Sequence, residues 1–293
     1  MNDQAQVLRE RVLNSKNNML TADKKEAKVI GVISGKGGVG KSNFSLNFSL
    51  SLQKQGFRVL LFDMDIGMAN VDVLMGTTQR YSIIDIFERN MTLTEIIQSG
   101  PENLSYIAGG SGLTNVFQMN DNKREQFLTQ LQDLSYSYDF ILFDMGAGIT
   151  DESRKLLLSC HELFLVTTCE PTSLTDAYSA VKFIYAHANV KPIPIQLVIN
   201  RVISKKIAQV TAERLNNVTK KFLNRELLHL GSLPDDKYVS LAVMEQVPFV
   251  LKYPSSAAAL AIKSLTLRYL QENNKYQKKK VDTFIMKLRS FFA

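Results

Sequence analysis

Residues 32–52 read VISGKGGVGKSNFSLNFSLSL. This stretch closes an apolar run, KVIGVIS (28–34). It passes four glycines within six positions and then opens a helix predicted over 42–55. Gly35 to Ser42 satisfies the pattern G-x-x-x-x-G-K-[ST], with a strand before it and a helix after it, as a phosphate-binding loop requires. Gly35, Gly37, Gly38 and Gly40 let the backbone wrap an anion without side-chain clashes. The N–H groups of Gly35, Lys36, Gly37, Gly38, Val39, Gly40, Lys41, Ser42 and Asn43, at the mouth of a helix, favour negative charge. Lys41 is placed to meet the β- and γ-phosphates of a nucleotide, and the Ser42 hydroxyl to ligate Mg²⁺. One phosphate lysine suffices for such a loop, yet this one holds a second, Lys36.

The pattern spreads outward from the loop. KVIGVIS (28–34), FRVLLFD (57–63), LSYIAGG (104–110), DFILFDM (139–145), ELFLVTTC (162–169), IPIQLVIN (193–200) and LLHLG (227–231) are apolar runs of strand length. Continuous rather than alternating apolarity means burial on both faces, as in a parallel sheet. Helices are predicted between and after them, over 42–55, 122–136, 151–159, 173–188, 205–223 and 256–271. The alternation gives an α/β, doubly wound, mostly parallel sheet with helices on both faces. Two of the strands end in acids, Asp63 with Asp65 in LLFDMD, and Asp144 in ILFDMGAG ahead of Gly146 and Gly148. Ligands of open α/β sheets sit beyond the carboxyl ends of the strands, and an acid there can hold Mg²⁺ directly or through water. Taken singly, each acid also fits a helix cap or a turn.

Composition excludes several classes. The 293 residues carry 45% hydrophobic and 22% charged residues, ordinary for a globular chain. Cys160 and Cys169 provide no disulfide framework or cysteine-type cluster, and His161, His187 and His229 show no ligand spacing. No run of 18 apolar residues exists, and residues 1–19 lack an apolar signal core, so a cytoplasmic location is expected. Of the net charge of +7, residues 271–293 hold +4 and residues 1–28 hold +2, leaving +1 for 29–270. A nearly neutral body gives no broad nucleic-acid face, and no nucleic acid is expected as a partner.

KGGVGKS with the extra Lys36 resembles the deviant phosphate loop of the MinD/ParA class of dimerising ATPases, P-loop NTPases of the SIMIBI group. DMDIGMANVDVLMG (63–76) resembles their switch I and DMGAGI (144–149) their switch II, although Met145–Gly146 stands where relatives often have Thr-Pro. The resemblance covers about residues 28–270 and implies ATP and Mg²⁺ as cofactors, hydrolysis to ADP and phosphate, and an ATP-dependent homodimer. It also implies roles. Lys36 reaches the partner's nucleotide across a two-fold axis, while Lys41 serves its own. Asp65 orients the attacking water, Asp63 supports the Mg²⁺ shell, and Asp144 holds a Mg²⁺-bound water. Asn200, with Arg201 beside it, resembles the adenine-recognising position. Ser232, Leu233, Pro234 and Asp235 resemble the loop that closes over the base.

The ends narrow the resemblance. DQAQVLRERV (3–12) resembles the DQAxxLR segment of the flagellar MinD-like ATPases of the FlhG (FleN, YlxH) group, in which it activates FlhF, a GTPase of signal-recognition-particle type. By that likeness Asp3, Gln4, Ala5, Leu8 and Arg9 form the activating segment, with Gln4 as the residue that orients a catalytic water, and flagellar C-ring proteins are further partners. At the other end, Val281, Phe284, Ile285, Leu288, Phe291 and Phe292 fall on one helical stripe flanked by Lys278, Lys279, Lys280, Lys287 and Arg289. Such a helix suits reversible binding to anionic lipid on the inner face of the cell membrane. The other reading of the stripe is a terminal helix packed on the body. The expected organisation is therefore an arm (1–28), an ATPase domain (29–270), a linker (271–280) and an amphipathic helix (281–293). A division-site MinD shares the tail but starts almost directly at its first strand. A ParA-type DNA-segregation protein lacks such a tail.

Overall fold

A computed structural model of the chain describes residues 26–65, 71–78, 80–109, 121–146, 148–186, 192–276 and 283–291. The strands are β1 (Lys28–Ile33), β2 (Val59–Met64), β3 (Gln98–Ser99), β4 (Ser105–Ile107), β5 (Phe140–Met145), β6 (Glu162–Thr168), β7 (Ile195–Val202) and β8 (Leu227–Pro234). The helices are α1 (Lys41–Lys54), α2 (Val71–Met75), α3 (Asp85–Glu88), α4 (Leu93–Ile96), α5 (Asp121–Ser137), α6 (Asp151–Ser159), α7 (Pro171–Tyr185), α8 (Lys205–Leu223), α9 (Lys237–Met244), α10 (Phe249–Lys252), α11 (Ala257–Tyr276) and α12 (Phe284–Ser290).

The strands form one sheet in the order β3-β4-β2-β5-β1-β6-β7-β8, with only the short edge strand β3 antiparallel to its neighbour. Strands β2, β5 and β6 are buried at every position, which accounts for their unbroken apolar runs. One core lies between the sheet and α1, α10 and α11, where Phe44, Phe48, Phe164 and Tyr269 pack ring against ring. The second core lies on the other face, under α5, α6, α7, α8 and α12. Strand register sets the site. Asp63 of β2 lies opposite Asp144 of β5, and Asp144 lies opposite Val32 of β1, so both acids reach the row from which the glycine-rich loop departs.

The expected helices over 151–159 and 205–223 coincide with α6 and α8, and the other long elements differ by a few residues. Two boundaries need correction. Strand β8 continues to Pro234, so Ser232, Leu233 and Pro234 are strand rather than loop. The pairing with β7 resumes past two irregularities, and a proline at the end of an edge strand leaves no ladder donor missing. Helix α11 continues to Tyr276, through the first six residues of the expected linker, with Arg268 and Glu272 paired one turn apart at 3.0 Å. Residues 277–282, including Val281, lie outside the described residues, as do Phe292 and the whole expected GTPase-activating segment, Asp3, Gln4, Ala5, Leu8 and Arg9.

The terminal stripe is covered. Phe284, Ile285 and Leu288 of α12 are at most 2% exposed and belong to the core under α5 and α6. The Phe284 ring packs on Phe143 at 5.8 Å, Phe291 packs at the edge of the same core, and Arg289 pairs with Glu125 of α5 at 2.6 Å. Docking, not an outward membrane face, is the arrangement of this conformation. The apolar stripe is the same in both readings. A groove between two helices satisfies it as well as lipid does.

Beside the docked helix, His161 is neutral by construction. Its Nδ1 accepts the Val29 N–H at 2.9 Å, the His161 backbone N–H donates to the Val29 carbonyl at 3.0 Å, and burial, with Lys287 and Lys28 nearby, pushes the ring down to about 4. The unfolded chain therefore takes up this proton first, so the contribution is complete above about pH 6.5 and is lost progressively as pH falls toward 4. Between pH 7 and 5 the wild type should lose about 2 kcal/mol more stability than His161→Gln in denaturant titrations. Equal losses would remove His161 from the account.

Candidate functional site

The loop between β1 and α1 brings the predicted phosphate residues together. Its glycines serve different ends. A Cβ on Gly35 would lie 2.0 Å from the backbone of Asp176 in α7, so this glycine permits a helix to pack against the loop. Gly40 has a φ of +90°, and a Cβ there would meet the Asn200 amide at 2.3 Å. Gly37 and Gly38 face outward, and Val39 is buried beneath them.

The two lysines point opposite ways. Lys41, buried, donates from Nζ to Oδ1 of Asp144 at 2.7 Å and lies 3.3 Å from the Ser42 hydroxyl. Lys36 lies at the surface, with its Nζ 2.9 Å from Glu170 Oε2 and 3.1 Å from Thr172 Oγ1. Hydrogen bonding to Lys36 holds the Glu170 carboxyl below the ordinary range. The sequence reading overlooked Glu170 and Thr172. Their signal was positional: both follow the carboxyl end of β6, and Glu170 precedes the proline that opens α7.

Asp144 has no exposed surface. Its Oδ1 receives Lys41 and also the Ser45 hydroxyl at 2.9 Å, while Oδ2 is buried without a hydrogen-bond partner. Asp63 is used differently: Oδ1 accepts the Asp65 N–H at 3.0 Å and Oδ2 the Val71 N–H at 3.2 Å. Asp63 thus ties down both ends of the segment 65–71 within the expected switch I (63–76), the cap-like role that an acid after a strand also fits. Residues 66–70 between those ends lie outside the described residues, as does Ala147 in switch II. Asp65 faces Gly146, where an added Cβ would come within 3.1 Å of Asp65 Oδ1, so the two switch segments meet.

On the far side of the loop, Asn200 donates from Nδ2 to the Val39 carbonyl at 2.8 Å and accepts the Arg201 N–H at 2.9 Å. Arg201 is held at a φ of +53°, a left-handed conformation uncommon for residues other than glycine. An amide carries two donors and two lone pairs, so the two bonds use one of each. Ser232 lies opposite Ile199, beside Asn200, and the Asp235 N–H donates to Val202 at 3.0 Å. Asn43 is tied to Asn47 at 2.8 Å within α1.

A nucleotide phosphate with Mg²⁺ fits these residues. The loop supplies donors and a lysine, Ser42 supplies a hydroxyl in the first turn of α1, and the orphaned Oδ2 of Asp144 is an oxygen acceptor in search of a partner. Hydroxyl and carboxylate oxygens suit Mg²⁺, a hard cation that also keeps several waters.

The chain belongs to the ParA family of P-loop NTPases: residues 25–269 match that family, under the description NUBPL iron-transfer P-loop NTPase. The antiactivator FleN of Pseudomonas aeruginosa is 33% identical over 237 residues, covering 81% of this chain and 84% of that protein. The flagellum site-determining protein YlxH of Helicobacter pylori is 35% identical over 260 residues, covering 84% and 83%. The septum site-determining protein MinD of Pyrococcus horikoshii, solved as a complex with Mg-ADP, shares the fold with a TM-score of 0.65 and 24% identity, over 86% of this chain and all of that one.

Proposed function

We propose that this protein is a Mg²⁺-dependent, MinD-like ATPase that regulates flagellum assembly by cycling between a monomer and an ATP-bound homodimer. The observation that carries the reading is the divided pair of lysines: Lys41 buried on the acid of its own chain, Lys36 held outside by Glu170. Mg²⁺, when bound, supplies positive charge against the phosphates. Lys41 exchanges Asp144 for its own nucleotide's phosphates. Lys36 exchanges Glu170 for the nucleotide of the second protomer. Asp65, facing Gly146, orients water. The similarity to FleN and YlxH supports the flagellar role. An iron-transfer role does not suit this chain: its two cysteines make no cluster motif, and burial pushes the Cys160 thiol up to about 12.

In size-exclusion chromatography with light scattering, Lys36→Ala should bind ATP yet fail to dimerise on it, with turnover lowered on the order of 10³-fold if the lysine acts like an arginine finger. Asp65→Ala should keep the dimer and hydrolyse slowly. An unchanged ATP-dependent dimer in Lys36→Ala removes the cross-protomer role.

The tail is proposed to bind anionic membrane when released from its groove. Phe284, Ile285 and Leu288 cannot face α5, α6 and lipid at once, so undocking is a condition of membrane binding. Glu125→Lys replaces the partner of Arg289 by a like charge and leaves the stripe intact. An exposed pair contributes up to about 1 kcal/mol, so ATP-free sedimentation with anionic liposomes should rise on the order of fivefold. Phe284→Glu should abolish sedimentation. A wild-type chain that never sediments, with or without ATP, leaves the docked helix as the tail's whole role.

Residues 1–14 are proposed to stimulate a partner GTPase of signal-recognition-particle type, and C-ring proteins are proposed as further partners, on the likeness of DQAQVLR to the flagellar group. A peptide of these residues should raise that GTPase's turnover, and Gln4→Ala should weaken it. Full stimulation by a chain lacking residues 1–14 rejects the assignment.

A further inference from the structure

One hydroxyl touches the phosphate-site acid without belonging to the loop motif. Ser45 lies one turn into α1, fully buried, with Oγ 3.1 Å from the Lys41 carbonyl and 2.9 Å from Asp144 Oδ1. Serines inside helices often bond the carbonyl four residues back, and Ser49 does so to Ser45 at 2.7 Å. Ser49 has no carboxylate beside it among the described contacts. A hydroxyl has one proton. Bonds to an ionised acceptor are roughly twice as strong as neutral ones, so the Ser45 proton goes to Asp144 rather than to the carbonyl.

Oδ1 thus receives two donors, Lys41 and Ser45, and Oδ2 receives none. The two donors differ in what they can do. Lys41 is at the end of a flexible stem and is the group the phosphates require. Ser45 is fixed by the helix backbone and has no other task. When Lys41 leaves, a buried carboxylate loses its cation, and only Ser45 still defines which way its plane lies.

We propose that Ser45 is the positioning residue for Asp144: its hydroxyl pins Oδ1 so that Oδ2 stays directed toward the Mg²⁺ side as Lys41 passes to the phosphates. The inference rests on the nucleotide reading of the site. Ser45 touches neither nucleotide nor metal and acts through Asp144. Its loss should therefore appear in the response to Mg²⁺, not in the affinity for nucleotide as such.

The experiment is a titration of a fluorescent ATP analogue against the full-length chain, in EDTA and at increasing Mg²⁺, with ATP turnover measured in parallel. The variants are Ser45→Ala, Ser45→Cys, which is close in size but a poor donor, and Ser49→Ala as the control for a lost helical back-bond. For both Ser45 variants, the Mg²⁺ concentration giving half the effect should rise about tenfold, as for other partners of metal-binding carboxylates. Affinity in EDTA should be unchanged, and Ser49→Ala should match the wild type. Unchanged Mg²⁺ response in a Ser45 variant that binds nucleotide in EDTA overturns the proposal. An equal loss in EDTA and in Mg²⁺, by Ser45→Ala and Ser45→Cys alike, also overturns it, since that marks support of the loop. A wild-type chain whose nucleotide affinity ignores Mg²⁺ overturns the metal-site reading itself.

Discussion

A carboxylate with no exposed surface, Asp144, governs how this molecule is arranged. An ionised group so placed is tolerated only with a cation and hydrogen bonds around it. Lys41 and Ser45 provide them, and both come from the first two turns of α1. That helix can present both residues only if it starts directly after β1 and lies across the ends of β1 and β5. The parallel register, with Asp144 opposite Val32, supplies that placement. The glycine-rich loop is therefore bounded on the phosphate side by charge. On its outer side Gly35 lets α7 approach, and Gly40 lets Asn200 approach. Packing from three directions fixes the loop before any ligand arrives.

The same geometry explains why the loop carries two lysines with different fates. A lysine at the start of a helix, over a buried acid, is drawn inward, and its exposure falls to 6%. A lysine at the crest of the loop has no such acid below it and finds the surface carboxylate of Glu170 instead. Surface pairs of this kind contribute little and exchange readily, whereas a buried pair resists separation unless a second anion is offered to the lysine. On the proposed reading, Lys36 is the easily transferred charge of the loop and Lys41 the charge that moves only in exchange for phosphate.

Much of this was legible in the sequence because it was written in long periods or dense motifs. Buried strands announce themselves as unbroken apolar runs, and α6 and α8 begin at caps, Thr150 and Ser204, that accept backbone N–H groups as their residue types suggest. The short elements α2, α3, α4, α9, α10 and β3 were not legible, since two to eight residues contain too little periodicity to separate from turns. Of the site, the loop, Asp65, Asp144 and Asn200 lie around the carboxyl ends of β1, β2, β5 and β7. The resemblance gives both Asp63 and Asp144 to the Mg²⁺ shell, and the structure surrounds the two acids differently. The difference is three-dimensional: backbone N–H groups of Asp65 and Val71 turn back onto Asp63, while no donor reaches Asp144 Oδ2. Glu170 and Ser45 were invisible for the same reason, since each acquires its meaning from a distant residue, Lys36 at 134 positions and Asp144 at 99.

The docked tail shows what a linear stripe leaves undecided, and where coupling enters. Burying each of Phe284, Ile285 and Leu288 is worth about 1.5–3 kcal/mol, and a membrane interface returns much the same. The apolar terms therefore nearly cancel between groove and lipid. What remains on the groove side is the contact of Arg289 with Glu125, and on the lipid side the attraction of the basic residues to anionic headgroups. A balance this close is moved by small changes in the groove, and the groove is built from functional parts. Phe143, under the Phe284 ring, precedes Asp144 in β5, and α6, the other wall, follows switch II directly. On the proposed reading, a rearrangement of switch II around phosphate shifts the wall on which the tail lies. Avidity of two tails, on the order of 10²–10⁴, then adds to a helix already loosened at its seat, and neither effect has to supply the whole displacement.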